Sequence, residues 1–307
     1  MRNAAPALRM QQPDASASPA TAPALPSSLL AWYFVLVWGS GYLATKTALQ
    51  YAPPFTFLTL RFAFGLACAA LWAFIARPPL PTSWREFGHI AVAGLLMHAV
   101  NLGGSHYAQY LHMSAGVAAL ILALQPLLTA LIVWRFSREK LKRNQWAGIL
   151  LGLIGVALVV GHKINLNDVS LAALIAVGIS LVGITVATLY QRKYCPHVDL
   201  RSAALIQFAV CMAVMAPLAW SIEGFRIHWT WQLVAAVVFL VICGSILAVN
   251  ALHTLMRRGA ATKVTSLLYL TPIIAVVMEM AFFGVVPDAL MITGMMIACL
   301  GVALVNR

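Results

Sequence analysis

The chain alternates between long apolar stretches and short polar segments. From residue 29 onward, ten apolar stretches are long enough to cross about 30 Å of hydrocarbon as helices. They predict spans at 29–50, 55–76, 88–108, 115–134, 145–162, 170–191, 202–222, 231–254, 264–284 and 289–306. The regions 88–134 and 231–284 are almost continuously apolar, so nine or eleven spans also fit this pattern. The pattern predicts an all-α integral membrane protein.

The composition excludes an ordinary soluble protein. Of 307 residues, 62% are hydrophobic and 9% are charged, and the mean hydropathy is +0.88. A soluble domain carries about a quarter charged residues, because it must cover its core with polar surface. The net charge of +12 would suggest nucleic acid in a soluble chain. Here the basic residues lie between apolar stretches, so we expect a bilayer and no nucleic acid as the partner.

Residues 1–28 differ from the rest of the chain. They are rich in Ala, Pro and Ser and show no apolar periodicity, which predicts a disordered cytoplasmic tail. The apolar stretch that follows is longer than the apolar region of a signal peptide, so we expect a retained first span. The five cysteines have no CxxC spacing, which indicates neither a disulfide framework nor a metal site.

The basic residues test the number of spans. With ten spans and a cytoplasmic N-terminus, sixteen Lys and Arg residues fall in cytoplasmic segments. Only Lys163 and Arg226 fall in segments on the other side. Positive charge concentrates on the cytoplasmic side of membrane proteins. The distribution therefore favours ten spans with both termini in the cytoplasm.

The two halves of the chain resemble each other. The sequence GVALV occurs at 155–159 and again at 301–305, an offset of 146 residues. The same offset relates Gly148 to Gly294, Gly155 to Gly301 and Pro126 to Pro272. Several coincidences at one offset indicate an internal repeat. We expect two five-helix repeats, at 29–162 and 170–307.

Because each repeat has an odd number of spans, the second must enter the membrane upside down. The loop charges follow that inversion. The turn 109–114 has no Lys or Arg, whereas its counterpart 255–263 has three; the basic turn after span four has a counterpart, 285–288, with none. Secondary transporters use inverted repeats, with the substrate site between them near the middle of the membrane.

These features resemble the drug/metabolite transporter superfamily, of the EamA type. The resemblance covers about 30–306. It rests on WGSGYLATKTAL at 38–49, Arg61 in span two, the prolines late in spans four and nine, and REKLKRNQWAGILLGLIGVALVV at 138–160. The family has a second glutamate where this chain has Val285. The resemblance implies a ten-helix, exporter-like carrier of small metabolites in the bacterial inner membrane.

Glu279 stands out because it is the one acidic residue well inside a predicted span. A charge there costs roughly 2.5–3.5 kcal/mol on insertion scales, so we expect it to face protein or water. It either couples transport to protons and binds a substrate amine, or forms a structural ion pair. Lys46 and Arg61 lie at a similar predicted depth and are its candidate partners. Alternatively, both cations extend to the headgroups, or both face a substrate carboxylate, which with Glu279 would suit an amino acid.

Other residues are candidates for the transport pathway. Trp38 lies near the middle of span one, next to small residues, where it either lines a cavity or packs. Tyr190 takes in span six the place that Lys46 takes in span one. Proline breaks a helix and exposes carbonyls, so two residue pairs are candidate hinges: Gln125 with Pro126, and Thr271 with Pro272. The remaining polar candidates, which either line the pathway or bond a neighbouring helix, are His98, Asn101, Tyr107, Gln207, Asn250 and His253.

The sequence contains no GxSxG, HExxH or Walker motif, so we expect neither an enzyme nor a self-powered pump, and no cofactor is implied. We interpret the sequence as that of a secondary-active carrier that exports a small organic metabolite, such as an amino acid or an amphipathic compound, by alternating access. Protons are the expected coupling ion, and the small-residue faces are compatible with a homodimer. A channel or lipid scramblase is the alternative; an integral-membrane enzyme is a weaker one.

Overall fold

The protein is described by a computed structural model that covers residues 26–137, 141–165, 169–258, 268 and 270–305. The side chains at positions 137, 165, 253, 256 and 257 are outside this description. Nearly all of the predicted tail, at 1–25, also lies outside the described residues.

The described residues form ten helical spans, which confirms the all-α membrane fold. Eight are long and apolar enough to cross a bilayer, and two shorter apolar helices complete the set. The spans are α1 Ser27–Ala48, α2 Pro54–Ala76, α3 Trp84–Tyr110, α4 Ala115–Phe136, α5 Arg143–Asn165, α6 Leu171–Tyr194, α7 Leu200–Glu223, α8 Trp231–Leu252, α9 Thr271–Phe283 and α10 Ala289–Val305. The last helical segment of α8, Ala248–Arg257, extends beyond Leu252.

Side-chain caps fix where several spans begin. The first backbone N–H groups of a helix have no partner within the helix, and a Ser, Thr or Asp oxygen before it supplies one. Such caps begin five spans, with Ser83, Ser114, Ser170, Asp199 and Thr230 as the capping residues.

We call the membrane face where α1 begins the near face and the face where α1 ends the far face.

The packing of the spans follows the two-repeat plan. Three pairs of counterpart helices pack against each other: α2 with α7, α5 with α10 and α4 with α9. Several other contacts come in related pairs: α3 with α6 matches α8 with α1, and α4 with α6 matches α9 with α1. Exchanging the two halves therefore reproduces much of the contact pattern. This is the arrangement expected for a five-plus-five inverted repeat.

The spans α5 and α10 approach closely through glycines. A Cβ added at Gly155 would lie 2.5 Å from the backbone nitrogen of Ala298 and 2.5 Å from the Gly294 carbonyl oxygen. A Cβ at Gly148 would lie 2.5 Å from the Gly301 carbonyl oxygen. Small residues allow this backbone-to-backbone packing, which is a main source of helix association in lipid.

We expect Gly155→Ala to destabilise the protein and Gly161→Ala in the same helix to be nearly neutral. The new methyl at position 155 meets backbone atoms, whereas nothing lies within 4 Å of a Cβ at position 161. Overpacking of this kind costs about 1–3 kcal/mol. Thermal unfolding of the two variants in detergent measures the difference, and equal unfolding temperatures would contradict the packing assignment.

The far-face ends of α5 and α10 are joined by Asp288. Its carboxylate accepts a hydrogen bond from the Met291 backbone N–H at 2.7 Å, and one oxygen lies 3.3 Å from both Lys163 Nζ and His162 Nε2. Burial raises the pKa of the Asp288 carboxyl, but the Met291 N–H and the Lys163 ammonium lower it more. The charge of His162 adds to the lowering, so the net pKa is below its usual value.

Asp288→Asn should therefore lower stability in a pH-dependent way. A carboxyl whose folded pKa is below its unfolded value of about 3.9 stabilises the fold above that pH. The contribution disappears as the pH falls through the folded pKa. We expect a lower unfolding temperature for the variant at pH 7 and pH 5, and a difference from the native protein that narrows as the pH falls below about 4. A difference that stays constant down to pH 3 would show that the charge is not responsible.

Two spans contain π-helical segments that the sequence did not predict. In α3 the segment is Leu95–Val100, and in span eight it is Phe239–Leu247. These two spans are counterparts in the repeat, so both halves carry the same irregularity at the same place. π-Helical segments are rare in proteins as a whole, and those that occur often lie at functional sites.

Candidate functional site

Glu279 in α9 is the charged group buried most deeply among the described spans. Its side chain is 2% exposed, and Oε1 forms an ion pair with Nζ of Lys46 in α1. The Lys46 ammonium also lies 4.7 Å from the centre of the Phe283 ring. Of the two candidate partners of Glu279, the structure brings Lys46 to it.

The second oxygen of Glu279 binds the backbone of α4. Oε2 accepts a hydrogen bond of 3.1 Å from the N–H of Gly116, in the first turn of α4. A helix N-terminus carries partial positive charge and free N–H donors, so it stabilises a carboxylate. One carboxylate thus joins α1, α4 and α9 at the far face. We call Lys46, Gly116 and Glu279 the far-face clamp.

A second carboxylate at the far face acts in the same way. Glu223, at the end of α7, accepts hydrogen bonds from the backbone N–H of Phe55 at 3.0 Å and of Thr56 at 2.7 Å. The Thr56 hydroxyl donates to it as well, at 2.7 Å. These donors form the first turn of α2, whose preceding residue, Pro53, supplies no side-chain cap. Glu223 forms no salt bridge among the described residues, which sets it apart from Glu279.

Arg61 does not contact Glu279 but reaches the π segment of span eight. Its Nη2 donates a 3.4 Å hydrogen bond to the hydroxyl of Ser245, in the π segment of span eight. Its counterpart in the second repeat, at the offset of 146 residues, is Gln207. Gln207 contacts the π segment of α3, with Oε1 at 3.3 Å from Nε2 of His98. Each repeat thus places a polar side chain against the π segment of the other.

Two buried polar side chains near this site have no hydrogen-bond partner among the described residues. Both ring nitrogens of His106 and both amide atoms of Gln109 are unpaired, although the residues are 3% and 6% exposed. The His106 ring stacks on Phe57, one helical turn from Arg61, at 5.5 Å. Buried polar groups are normally paired, and unpaired ones occur where water, an ion or a ligand binds.

The other sequence candidates occupy varied environments. Trp38 is 41% exposed and lies edge-to-face with Phe34, and Tyr107 is 38% exposed and stacks on Phe55. Asn101 accepts from Ser180 and so links α3 to α6. Three more candidates are local or peripheral: Tyr190 lies 2.8 Å from His89 at the near face, Asn250 donates to the Ile246 carbonyl, and the His253 side chain is outside the described residues.

The candidate hinge residues lie where helices begin. Span four is interrupted at Ala123 and Leu124, and its second helix begins at Gln125, so Pro126 falls in a first turn that needs no donor. Thr271 and Pro272 begin α9 in the same way. The Gln125 amide donates a 3.0 Å hydrogen bond to Thr188 in α6. Gln125 and Pro126 line a near-face cavity of about 420 Å³ between α4, α5 and α10.

Sequence reasoning missed four of these residues: His106, Gln109, Glu223 and Ser245. His106 and Gln109 are three residues apart and share one helix face, a signal that could have been read. The 146-residue offset could also have paired Arg61 with Gln207. The hydroxyl of Ser245 and the cap by Glu223 gave no signal, because each depends on how two distant helices pack.

We expect the two members of the clamp ion pair to be energetically coupled. Removing one partner of a buried pair costs about 3–5 kcal/mol, because the other charge is left unpaired. Since Lys46 keeps 26% exposure, we expect the lower end for Glu279→Gln. The double variant with Lys46→Met should recover at least about 1 kcal/mol of that loss. Unfolding in detergent measures the cycle, and strict additivity would show that the pair is not coupled.

The sequence of this chain is similar to those of known transporters. The EamA-like transporter family matches residues 25–161 and again 171–307. The inner membrane transporter YedA of Escherichia coli, described as uncharacterized, is 28% identical over 81% of this chain and 80% of its own length. A "probable amino-acid metabolite efflux pump" of Salmonella typhimurium is 24% identical over 89% and 92%. A solved crystal structure shares the fold, with a TM-score of 0.64 and 21% identity over 91% of this chain and 95% of the other. This chain therefore belongs to the EamA-like transporter family.

Proposed function

We propose that this protein is a secondary-active transporter of the inner membrane that exports a small organic metabolite in exchange for protons. Alternating access moves the two five-helix repeats, with the far-face clamp as the outer gate and Glu279 as the proton-binding group. The observation that carries the proposal is one buried carboxylate of α9 that contacts α1 and α4 and so joins three helices from both repeats. Substrates of the amino-acid class are supported by the similarity to the Salmonella protein described as a probable amino-acid metabolite efflux pump.

The clamp depends on the charge of Glu279. Ionised, the carboxylate attracts the Lys46 ammonium and the N-terminus of α4; protonated, it attracts both far less. Opening the far face separates these groups and lets Glu279 take up a proton from that side. The ion pair forms again only after the proton has left. If the proton leaves toward the near face, one transport cycle exchanges it for substrate.

The near face has no equivalent clamp among the described residues. The position that corresponds to Glu279 at the offset of 146 residues is Val133, and the one that corresponds to Glu223 is Arg77. A near-face cavity lies beside Gln125 and Pro126. These differences support a state that is closed at the far face. The excess of Lys and Arg near the near face supports a cytoplasmic position for it and for both termini.

The proposal predicts proton exchange that requires Glu279. The native protein is reconstituted in proteoliposomes with an imposed pH gradient, and pooled amino acids, organic cations and sugars are added in turn. We expect one pool to collapse the gradient. Glu279→Gln should abolish that collapse, because an amide still accepts from the Gly116 N–H but takes up no proton.

Glu223→Gln is the matched control, since Glu223 also caps a far-face helix but forms no ion pair with any described residue. It should retain exchange. Collapse that persists in Glu279→Gln would make Glu279 structural, and no collapse with any pool would refute proton coupling. Saturable counterflow of a labelled solute, which needs no proton, shows that Glu279→Gln is folded and separates a carrier from a channel or scramblase.

A further inference from the structure

We infer that Arg61, beside the π segment of span eight, binds the carboxylate of the transported substrate. The inference rests on the proposed function and adds the chemical class of the substrate. It would make Arg61 a specificity-determining residue in the interior of the bundle.

The first step is the charge balance at Arg61. Its guanidinium has five N–H donors, but its one hydrogen bond among the described residues is the 3.4 Å contact with Ser245. No described carboxylate forms a salt bridge with it, since Glu279 is paired with Lys46. A cation inside a membrane protein needs a counter-charge or strong hydrogen bonds. Arg61 thus lacks a partner that its surroundings require.

The equivalent position in the second repeat carries no charge. Gln207 stands where Arg61 stands in the first repeat, and its amide oxygen Oε1 accepts a hydrogen bond from Nε2 of His98, at 3.3 Å. The repeat architecture therefore needs only a polar, uncharged group at this place. The guanidinium goes beyond what the packing requires, which points to a ligand.

Other polar groups lie close to Arg61. The Arg61 side chain is half-buried, so part of its surface is free of protein contact. The His106 ring stacks on Phe57, one helical turn from Arg61, and its ring nitrogens and the Gln109 amide have no hydrogen-bond partner among the described residues. These groups can donate further hydrogen bonds to an anion.

The fourth step selects the anion. A planar guanidinium matches a carboxylate or a phosphate with two parallel hydrogen bonds. The site offers one full positive charge, because Lys46 is engaged by Glu279. A singly charged carboxylate balances that charge, whereas a phosphate dianion would leave a negative charge uncompensated. The geometry therefore favours a carboxylate.

Binding of defined probes to the purified protein tests the inference. L-phenylalanine, L-threonine and L-lysine are each compared with their carboxamides in thermal-shift and intrinsic-fluorescence titrations. We expect at least one free carboxylate to bind and its amide to bind roughly 10- to 100-fold more weakly. Inorganic phosphate and sulfate should bind no better than the amides.

Variants locate the site. Arg61→Gln, which installs the residue found at the equivalent position, should weaken carboxylate binding to the level of the amide. Arg61→Lys should retain part of it. Arg226→Gln removes the same charge from an exposed far-face loop and should change nothing. If Arg61→Gln fails to fold, Arg61→Lys locates the site, because it keeps the charge but loses the planar pair of N–H donors and should bind the carboxylate more weakly than the native protein. Unchanged carboxylate binding in Arg61→Lys would then count against the assignment.

The outcomes separate this inference from the proposed function. Equal binding of acid and amide, no binding by any carboxylate, or unchanged binding in Arg61→Gln would overturn the Arg61 assignment. Proton exchange in proteoliposomes could still be intact in each case. Conversely, carboxylate binding that depends on Arg61 without any proton exchange would support this site and refute the coupling mechanism.

Discussion

A charge placed in the hydrocarbon layer must find its partner inside the protein, and this constraint organises the far face. Glu279 lies at the junction of three helices because no single neighbour satisfies both of its oxygens. Glu223 satisfies the first turn of α2 in the same manner. In both cases the carboxylate comes from the second repeat and the helix N-terminus from the first. At the far face, two carboxylates of the second repeat thus accept hydrogen bonds from backbone N–H groups at helix N-termini of the first repeat. These contacts hold the two repeats together.

The near face lacks the two carboxylates that join the repeats at the far face. At the positions equivalent to Glu279 and Glu223 stand Val133 and Arg77. Local side-chain caps occur at both faces, since Ser83 caps α3 at the near face and Ser114 caps α4 at the far face. At the near face the repeats meet through hydrogen bonds without a carboxylate, such as the 2.8 Å contact of Tyr190 with its partner in α3. Among the described residues, the two faces therefore differ in the carboxylate contacts that join the repeats.

The sequence carried most of the architecture and part of the site. Apolar length and charge placement gave ten spans, since crossing hydrocarbon dictates both. The similar depth of Lys46, Arg61 and Glu279 limited the partners of Glu279 to two. Choosing between them requires the rotation of each helix about its axis, which composition does not encode. The π segments and the Gly116 N–H contact depend on packing between distant helices, so no local pattern announced them.

Residues that differ between equivalent positions of the two repeats are informative, because shared packing does not explain the difference. Where Gly155 and Gly301 stand at equivalent positions, packing alone explains the residue, and both halves keep it. Arg61 and Gln207 contact equivalent π segments but differ by one full charge. Helix packing accepts the uncharged Gln207 at this position, so packing does not explain the charge of Arg61. The charge therefore points to a ligand. If Arg61 lines the pathway as inferred, its charge, which no described carboxylate balances, attracts the negative end of a zwitterion. The ion pair at the far face, being already neutral, does not compete for it.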